Sequence, residues 1–484
     1  MVLFLIFLAV LSNAKDNSDI LMRVKKLEIE NKKQSKIIEM LYKKLEKLSK
    51  KKSLDKNEIT QEQLDELGDR LDKIETSTLI DKVKLRLGFR VRNDNIEKKM
   101  ADGRKVHSDN IWSTKLELNM YSKIANNMKF HGRVSMYKYW ADSTIHPYAL
   151  YDNMQGRVPS TSALFVERAY VDYYFHLGVP SSVTIGRQPS SDGPSYQYME
   201  NTTRKSTYSA LVFDGASDGI VYTADISKII NIGKARLRVA YGKGFQNDET
   251  KIGVTNAFIG ASDTSLKDTN VFGLFFESNF LGYDSSLFQV GAVKMSNVIA
   301  NSMETNSSAN VNLGDIYFSG AMAEVTNINN SGFDAFAHIG FSHAKPNGKL
   351  YRARYGLLNS NGSTGSKNGY AFWVGGRYDF RKFKHLKIGA EYNHGSKNWI
   401  SATQGSYNVY NKLATRGDAY EIYGLYPINR FSFIRLGFLH INYNYTKSGW
   451  YKSEPKKFSD LTASEKKDAV KSINSFYLQF TVRF

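Results

Sequence analysis

Basic side chains recur at every second position in several parts of this sequence, and this spacing is its most specific chemical signal. In residues 82–92, Lys84, Arg86 and Arg90 share one face of an alternating run whose other face is apolar. Rows of Lys and Arg along a water-filled path raise the local anion concentration and favour anion passage. The alternative is that each cation pairs with a loop carboxylate. Alternation predicts these path-lining cations: Lys84, Arg86, Arg90, Lys115, Lys129, Arg133, Arg168, Arg236, Arg238, Lys387 and Arg435.

Signatures of enzymes, metal centres and nucleotide sites are weak in this sequence. The stretch Gly242-Lys-Gly-Phe-Gln lacks the Gly-Lys-Ser/Thr and the helical segment of a phosphate-binding loop. Asp214 and Asp218 flank a glycine in a pattern that favours a plain turn over a calcium site. The nine His residues show no metal-ligand spacing, and we find no nucleophile elbow. We therefore expect no catalytic residue, no metal and no cofactor.

The elements that would position the cations are alternating segments that follow Asp81. The last of them, Ser475–Phe484, alternates strictly, and ten residues match a tilted strand that crosses a bilayer. Turn-forming residues bound each segment. The sixteen segments are 82–92, 111–122, 127–140, 164–176, 181–188, 217–226, 234–243, 270–280, 285–297, 312–326, 332–344, 370–380, 384–396, 417–427, 430–446 and 474–484.

The gaps between these segments alternate between long and short. Long gaps such as 93–110 and 189–216 are followed by short ones such as 123–126 and 227–233. An up-and-down transmembrane barrel has this parity, because long loops lie on one side and tight turns on the other. The sequence therefore predicts an all-β, 16-stranded antiparallel transmembrane β-barrel over residues 82–484. A lipid-facing charge is costly, so the polar faces should line the lumen.

The amino-terminal part has a different pattern. Residues 1–14 are apolar and end in Ser-Asn-Ala, which predicts a signal peptide with an atypical start. Residues 15–81 are highly charged and carry heptads such as Ile20, Leu27, Gln34, Leu41 and Leu48, which predict a short α-helical coiled coil. Its narrow apolar stripe needs partner helices. The alternative is a lone helix packed on the barrel.

Composition narrows the class of protein further. The chain has 484 residues, no cysteine and a net charge of +19. Acidic and basic residues nearly cancel in residues 15–81, so the positive charge belongs to the predicted barrel. Without a basic helix or a nucleic-acid motif, we expect no nucleic-acid partner. Absence of cysteine suits a compartment in which thiols oxidise. Trp112, Trp140, Trp373 and Trp399 lie near predicted strand ends, as in interfacial girdles.

Taken together, these sequence patterns resemble those of a known class of membrane protein. A signal segment, a coiled coil, sixteen alternating strands and a terminal Phe resemble an outer-membrane porin, and the coiled-coil preface is similar to that of phosphate-selective and other anion-type porins. The segments Val166–Phe175, Gly186–Pro194 and Ala210–Ile220 resemble an uncharacterised family of large bacterial outer-membrane proteins. This resemblance implies that Phe484 acts as an insertion signal for the assembly machinery.

The third long gap, residues 189–216, is the candidate constriction, because the lumen-folded loop of porins also follows the fifth strand. Its carboxylates can dock against basic strands and narrow the opening. Arg204 and Lys205 would then lie on the rim of a selectivity eyelet. The alternative is a loop that folds outward. The charged residues of this segment are Asp192, Glu200, Arg204, Lys205 and Asp214.

The sequence thus predicts an outer-membrane porin, a passive diffusion channel that prefers small anionic solutes. Its coiled coil would lie in the periplasm. Expected partners are outer-membrane lipid, small anionic solutes and further copies of the chain, joined through coiled coil and barrel. A homotrimer is expected, although the heptads fit a dimer equally. The alternatives are a structural protein tethered to peptidoglycan, a surface adhesin, or a sugar-specific channel with an aromatic ladder. We expect no enzyme.

Overall fold

The structure, a computed structural model, describes residues 39, 40, 43, 83–140, 161–245, 267–280, 283–300, 311–403, 406 and 408–484. The predicted signal peptide lies outside these residues, and so does the predicted coiled coil, apart from three positions. Glu39, Met40 and Lys43 are helical. Lys43 Nζ donates to Glu39 Oε1 at 2.8 Å, and these two residues are four positions apart, which places them on the same side of a helix. Within the described residues, no helix is long and apolar enough to cross a membrane.

Sixteen antiparallel strands close into one barrel, in which each strand pairs with the next and β16 lies beside β1. The predicted fold class is therefore confirmed for the barrel. The strands are β1 Val83–Met100, β2 Lys105–Ala125, β3 Met128–Tyr139, β4 Thr161–Leu177, β5 Val179–Arg187, β6 Asp218–Asp225, β7 Arg236–Phe245, β8 Thr269–Phe280, β9 Tyr283–Ser296, β10 Gly314–Val325, β11 Phe333–Pro346, β12 Lys367–Phe380, β13 Leu386–Gly395, β14 Gly417–Asn429, β15 Ser432–Tyr443 and β16 Val470–Arg483.

Smaller elements occupy the connections. Helix α1 is Tyr196–Met199, α2 is Ser227–Ile230 and α3 is Ala463–Asp468. A capping box formed by Thr462 and Glu465 begins α3. The short strands Ile299–Ala300 and Val311–Asn312 form a separate two-stranded sheet, and single 3₁₀ turns lie at Ile328–Asn330, Lys412–Ala414 and Phe458–Asp460.

The first predicted long gap, residues 93–110, was wrong. β1 continues to Met100 and β2 begins at Lys105, so a short turn joins them. β1 remains paired with β16 over this extension, from Arg92 opposite Gln479 to Lys99 opposite Ser472. The outer face of the extension carries Asn93 and Asn95 instead of apolar residues, so the alternation in the sequence ends although the strand does not.

The outward faces of the strands form an apolar surface. On β15, Leu436 lies opposite Leu478 of β16 and Phe438 lies opposite Phe476, and all four side chains are more than 40 % exposed. The alternate residues, such as Arg435, face inward and are buried. A closed barrel with an apolar outside and a polar inside is the arrangement of a membrane-spanning barrel.

Two long loops pack against the inward faces of the strands. Loop L3, defined as residues 188–217, joins β5 to β6, and loop L7, residues 396–416, joins β13 to β14. Tyr198 and Leu211 of L3 share one buried cluster with Leu413 of L7. Trp373 and Trp399 belong to the same cluster and are fully buried, so their expected place in an interfacial girdle was wrong.

Candidate functional site

L3 contacts side chains on well-separated strands of the ring. Arg133 on β3 donates to Asp192 at 3.0 Å, and Arg204 donates to Glu277 on β8 at 3.1 Å. Further contacts reach β13, where Lys387 donates to the side-chain oxygen of Asn201. Only a segment within the ring can reach inward-facing residues of β3, β8 and β13 together.

Glu200 carries the densest set of charged contacts in L3. Its carboxylate accepts hydrogen bonds from Arg435 on β15 and Arg483 on β16, each at 2.9 Å, and Arg90 lies 3.9 Å away. Arg435 also donates to the backbone oxygen of Met199. The buried Arg435, predicted as a path-lining cation, therefore holds L3 against the wall.

A β-bulge in β4 brings two consecutive charged residues to the lumen. Arg133 pairs with Arg168, but the next residue of β3, Val134, pairs with Val166, so Glu167 is the extra residue. Both Glu167 and Arg168 are buried. Simple alternation predicted Arg168 on this face and missed Glu167, because a bulge shifts the period by one residue.

The two charged residues at the bulge bind two separate parts of L3. Glu167 accepts from Ser191 at 2.7 Å and from Arg133 at 3.2 Å, and Arg168 donates to the backbone oxygen of Lys205 at 2.9 Å. These contacts fix the beginning and the middle of L3 to the same stretch of wall. The bulge therefore places a carboxylate and a guanidinium side by side on the wall, where both can bind L3.

Asp214, another predicted constriction residue, ties L3 internally and to L7. Its carboxylate accepts from the backbone N–H of Asp192 at 3.0 Å, and its own N–H donates to the backbone oxygen of Ala402 in L7 at 2.8 Å. Asp214 is fully buried. The two loops thus form one connected body inside the wall.

A cavity of about 40 Å³ remains between L3 and the wall formed by β1, β2 and β16. A volume of this size holds a small number of water molecules. Lys205 of L3 faces Glu117 across it at 3.8 Å, and Lys115 pairs with the same Glu117. The charged lining residues are Arg90, Lys115, Glu117, Asp192, Glu200, Lys205 and Arg483.

A wider recess of about 360 Å³ lies on the inward face near the short-turn end of β1–β4. Lys84, Arg86 and Arg168 line it together with polar and aromatic residues, and none of its lining residues is acidic. Lys84 and Arg86 are exposed, and neither makes an ion pair within the part of the chain that the structure describes. Near it, Lys129 lies 4.8 Å from the ring centre of Tyr174.

The other predicted cations form clusters with wall carboxylates. Arg236 and Arg238 of β7 lie 3.2 Å and 2.9 Å from Glu277, which also binds Arg204. Three arginines therefore share one carboxylate, and an excess of positive charge remains at this side of L3. Alternation predicted both β7 residues, but it gave no sign that they share this partner.

L7 is anchored by a buried lysine that sequence reasoning missed. Lys412 binds both Glu391 on β13 and Glu421 on β14, and all three residues are buried. Glu391 and Glu421 lie directly opposite each other in the ladder. Like charges in that position are destabilising, so two facing glutamates on a lumen face were a signal that a cation must come between them.

Ser195, His338 and Glu324 form a buried cluster whose geometry differs from that of a hydrolytic triad. Ser195 Oγ donates to Glu324 at 2.6 Å and lies 3.1 Å from His338 Nε2. The far ring nitrogen of His338 contacts Ser209 Oγ at 2.7 Å. In a triad the carboxylate holds that nitrogen, whereas here it binds the serine directly. The cluster anchors L3.

The family model described as protein of unknown function, DUF3373, matches residues 105–484, and the chain belongs to this family. No curated protein matches the sequence significantly.

Three solved structures illustrate the similarity of the fold. OmpF of Salmonella typhi, in complex with daunomycin, is 12% identical with a TM-score of 0.46, covering 84% of this chain and 99% of that one. OprB of Pseudomonas putida, at high pH, is 10% identical with a TM-score of 0.48, covering 86% and 97%. The trimer form of in-vitro folded OmpT of Vibrio cholerae is 10% identical with a TM-score of 0.42, covering 84% and 100%.

Proposed function

We propose that this family member is an outer-membrane porin, a passive diffusion channel that prefers small anionic solutes. One observation carries the preference: the inward row of β1 lines two separate spaces of the lumen. Lys84 and Arg86 line the recess near the short turns, and Arg90 lines the cavity beside L3. A solute that moves along β1 thus meets cations at both levels.

The proposed mechanism combines electrostatic filtering with exclusion by size. The recess has cations and no acidic lining residue, so its field raises the local concentration of anions. The cavity is lined by four cations and three carboxylates. The cations are Arg90, Lys115, Lys205 and Arg483, and the carboxylates are Glu117, Asp192 and Glu200. L3 narrows the space beside β1. The distance between the side chains of L3 and those of β1 would then set the largest solute that passes.

The proposed orientation follows from the two kinds of connection. Bacterial barrels of this class carry short turns on the periplasmic side and long loops outside. Val83 and Phe484 both lie at the short-turn end, since Leu87 donates to the backbone oxygen of Phe484 at 2.7 Å. A periplasmic coiled coil in residues 15–81 and self-association through it belong to this proposal.

Planar-bilayer recording of the purified full-length protein tests the channel. We expect stable conductance steps and, under a KCl gradient, a reversal potential displaced towards the chloride Nernst value. Displacement towards the potassium value would contradict the anion preference. A protein that inserts and gives no steps would contradict the channel itself.

Substitution of the two cations in the recess near the short turns tests the role of the inward row of β1. Lys84→Glu with Arg86→Glu should move the reversal potential towards the potassium value, because these exposed side chains line the recess. Lys382→Glu with Lys384→Glu is the matched control, since these exposed lysines lie in the turn between β12 and β13 at the same end. Equal shifts in both variants would show a surface-charge effect and contradict path lining.

A second candidate function is a structural outer-membrane protein or surface adhesin. The observation in its favour is that the cavity between L3, L7 and the wall of β1, β2 and β16 is small, about 40 Å³. If the protein tethers peptidoglycan, the full-length chain should sediment with purified cell-wall sacculi, and a chain lacking residues 15–81 should not. Sedimentation together with an absence of conductance would favour this function over the porin.

A further inference from the structure

A recess of about 560 Å³ lies at the long-loop end of β12–β16, and its lining is basic. Lys397 of L7, Lys457 of the loop between β15 and β16, and Lys471 of β16 all line it. We propose that this recess binds the phosphate-bearing headgroup of a membrane lipid. This inference requires only that the barrel spans a membrane and does not depend on anion conduction.

The recess opens on the outside of the barrel. His394 and Asn442, which line it, alternate with the buried Asn393 and Ile441, so their side chains are on the outward faces of β13 and β15. Lys457 reaches the recess from the loop above these strands. By the same alternation, Tyr443 and Lys471 belong to the inward rows at the ends of their strands, so the recess lies at the long-loop rim of the barrel and is open to the outer surface through His394 and Asn442.

The charge of the recess suits a phosphate group. None of its lining residues is acidic, and Lys457 and Lys471 make no ion pair within the residues that the structure describes. Lys397 has a distant partner, Glu454, at 3.7 Å. Lysine ammonium groups and amide N–H donors are common ligands of phosphate oxygens.

A second carboxylate near the recess, Asp418, already has partners. Asp418, on the outward face of β14, accepts from Tyr392 at 2.7 Å and from Asn444 at 3.2 Å, and His394 Nδ1 lies 2.9 Å from it. The carboxylate of Asp418 is therefore stabilised by these neighbouring side chains and not by the lysines of the recess. The lysines at the rim thus keep their charge available for a ligand.

The position of the recess favours a lipid over a free anion. Tyr370 lines the recess, is 48% exposed, and belongs to the same outward row as Phe372 and Val374. Aromatic residues with one polar end are typical of the membrane–water interface. A phosphate held by the lysines would therefore have acyl chains lying on this apolar wall.

Native mass spectrometry of the full-length protein in detergent micelles tests the proposal. We expect phosphatidic acid to bind at least about tenfold more tightly than phosphatidylcholine with the same acyl chains, because two or three lysines contact the extra phosphate charge. Equal affinity for the two lipids would overturn the proposal. Displacement of phosphatidic acid by equimolar inorganic phosphate would also overturn it, since the site would then select a free anion.

Variants locate the binding. Lys457→Gln with Lys471→Gln should weaken phosphatidic acid binding about tenfold to thirtyfold. The control, Lys382→Gln with Lys384→Gln, removes two exposed lysines from the short-turn end and should leave the affinity unchanged. Circular dichroism should be identical for all three proteins, because the four side chains are on the surface. Loss of binding in the control, or unchanged binding in the first variant, would place the lipid elsewhere and overturn the proposal.

Discussion

L3 and L7 both fill the barrel, but different forces hold them. L3 is attached by ion pairs distributed around the wall, such as Glu200 with Arg435 and Arg483, and Lys205 at its edge is partly exposed to the cavity. L7 is buried: Trp399 and Leu413 have no exposed surface, and Lys412 pairs with both Glu391 and Glu421.

The difference assigns different tasks to the two loops. The pair at the cavity edge of L3, Lys205 with Glu117, is partly exposed. An ion pair of that kind can exchange partners at modest cost, whereas a buried pair that loses one member leaves an uncompensated charge. L7 therefore behaves as a fixed filling of one side of the lumen. In the proposed channel, L3 is the loop that borders the cavity on the other side.

The largest effect should follow from the loss of the L7 lysine. Lys412→Met leaves Glu391 and Glu421 buried and facing each other, so the free energy of unfolding should fall by about 3–5 kcal/mol. Urea unfolding of the barrel in lipid vesicles, followed by tryptophan fluorescence, measures it.

Two further variants control this prediction. Lys387→Met removes a lysine that anchors L3 through the neutral Asn201 and should cost only about 1 kcal/mol. Adding Glu391→Gln and Glu421→Gln to Lys412→Met should restore part of the stability, since no buried charge then remains. Equal losses for the two lysine variants would contradict the distinction between the loops.

An intermediate effect should follow from the loss of the L3 carboxylate. Glu200→Gln removes the shared partner of Arg435 and Arg483, and unfolding should become easier by about 2–3 kcal/mol. The proposed channel should also become more anion-selective, because the arginines keep their charge. Reversal potentials and urea unfolding measure the two effects.

The matched control for Glu200 is Asp218→Asn. The half-exposed pair of Asp218 with Arg187, 2.9 Å apart at the end of L3, should contribute less than about 1 kcal/mol. If Asp218→Asn changed stability as much as Glu200→Gln, the ion pairs inside the barrel would have no special role.

The smallest effect should come from the wall that supports L7. A Cβ at Gly437 would lie 2.3 Å from the Tyr477 ring, whose hydroxyl donates to Glu421 at 2.6 Å. Gly437→Ala should therefore cost about 1–2 kcal/mol. Gly424→Ala is the control, because a Cβ there meets no atom within 4 Å. A neutral Gly437→Ala would show that Tyr477 can move without disturbing L7.

The barrel could be predicted because lipid on one side and water on the other impose a period of two on every strand. Where that contrast ends, as at Asn93 and Asn95, the pattern disappears although the pairing continues. L3 could be placed by its order in the chain. L7 could not, because its buried residues are irregularly spaced and its cation lies in a loop. Glu167 was missed because a single inserted residue reverses the face.

The length of the first two strands has a further consequence. A tilted strand needs about ten residues to cross a bilayer, whereas β1 has 18 residues and β2 has 21. Their surplus, which β16 accompanies as far as Val470, makes the barrel wall longer on one side of the long-loop end. The rim of the barrel is therefore unequal in height around its circumference.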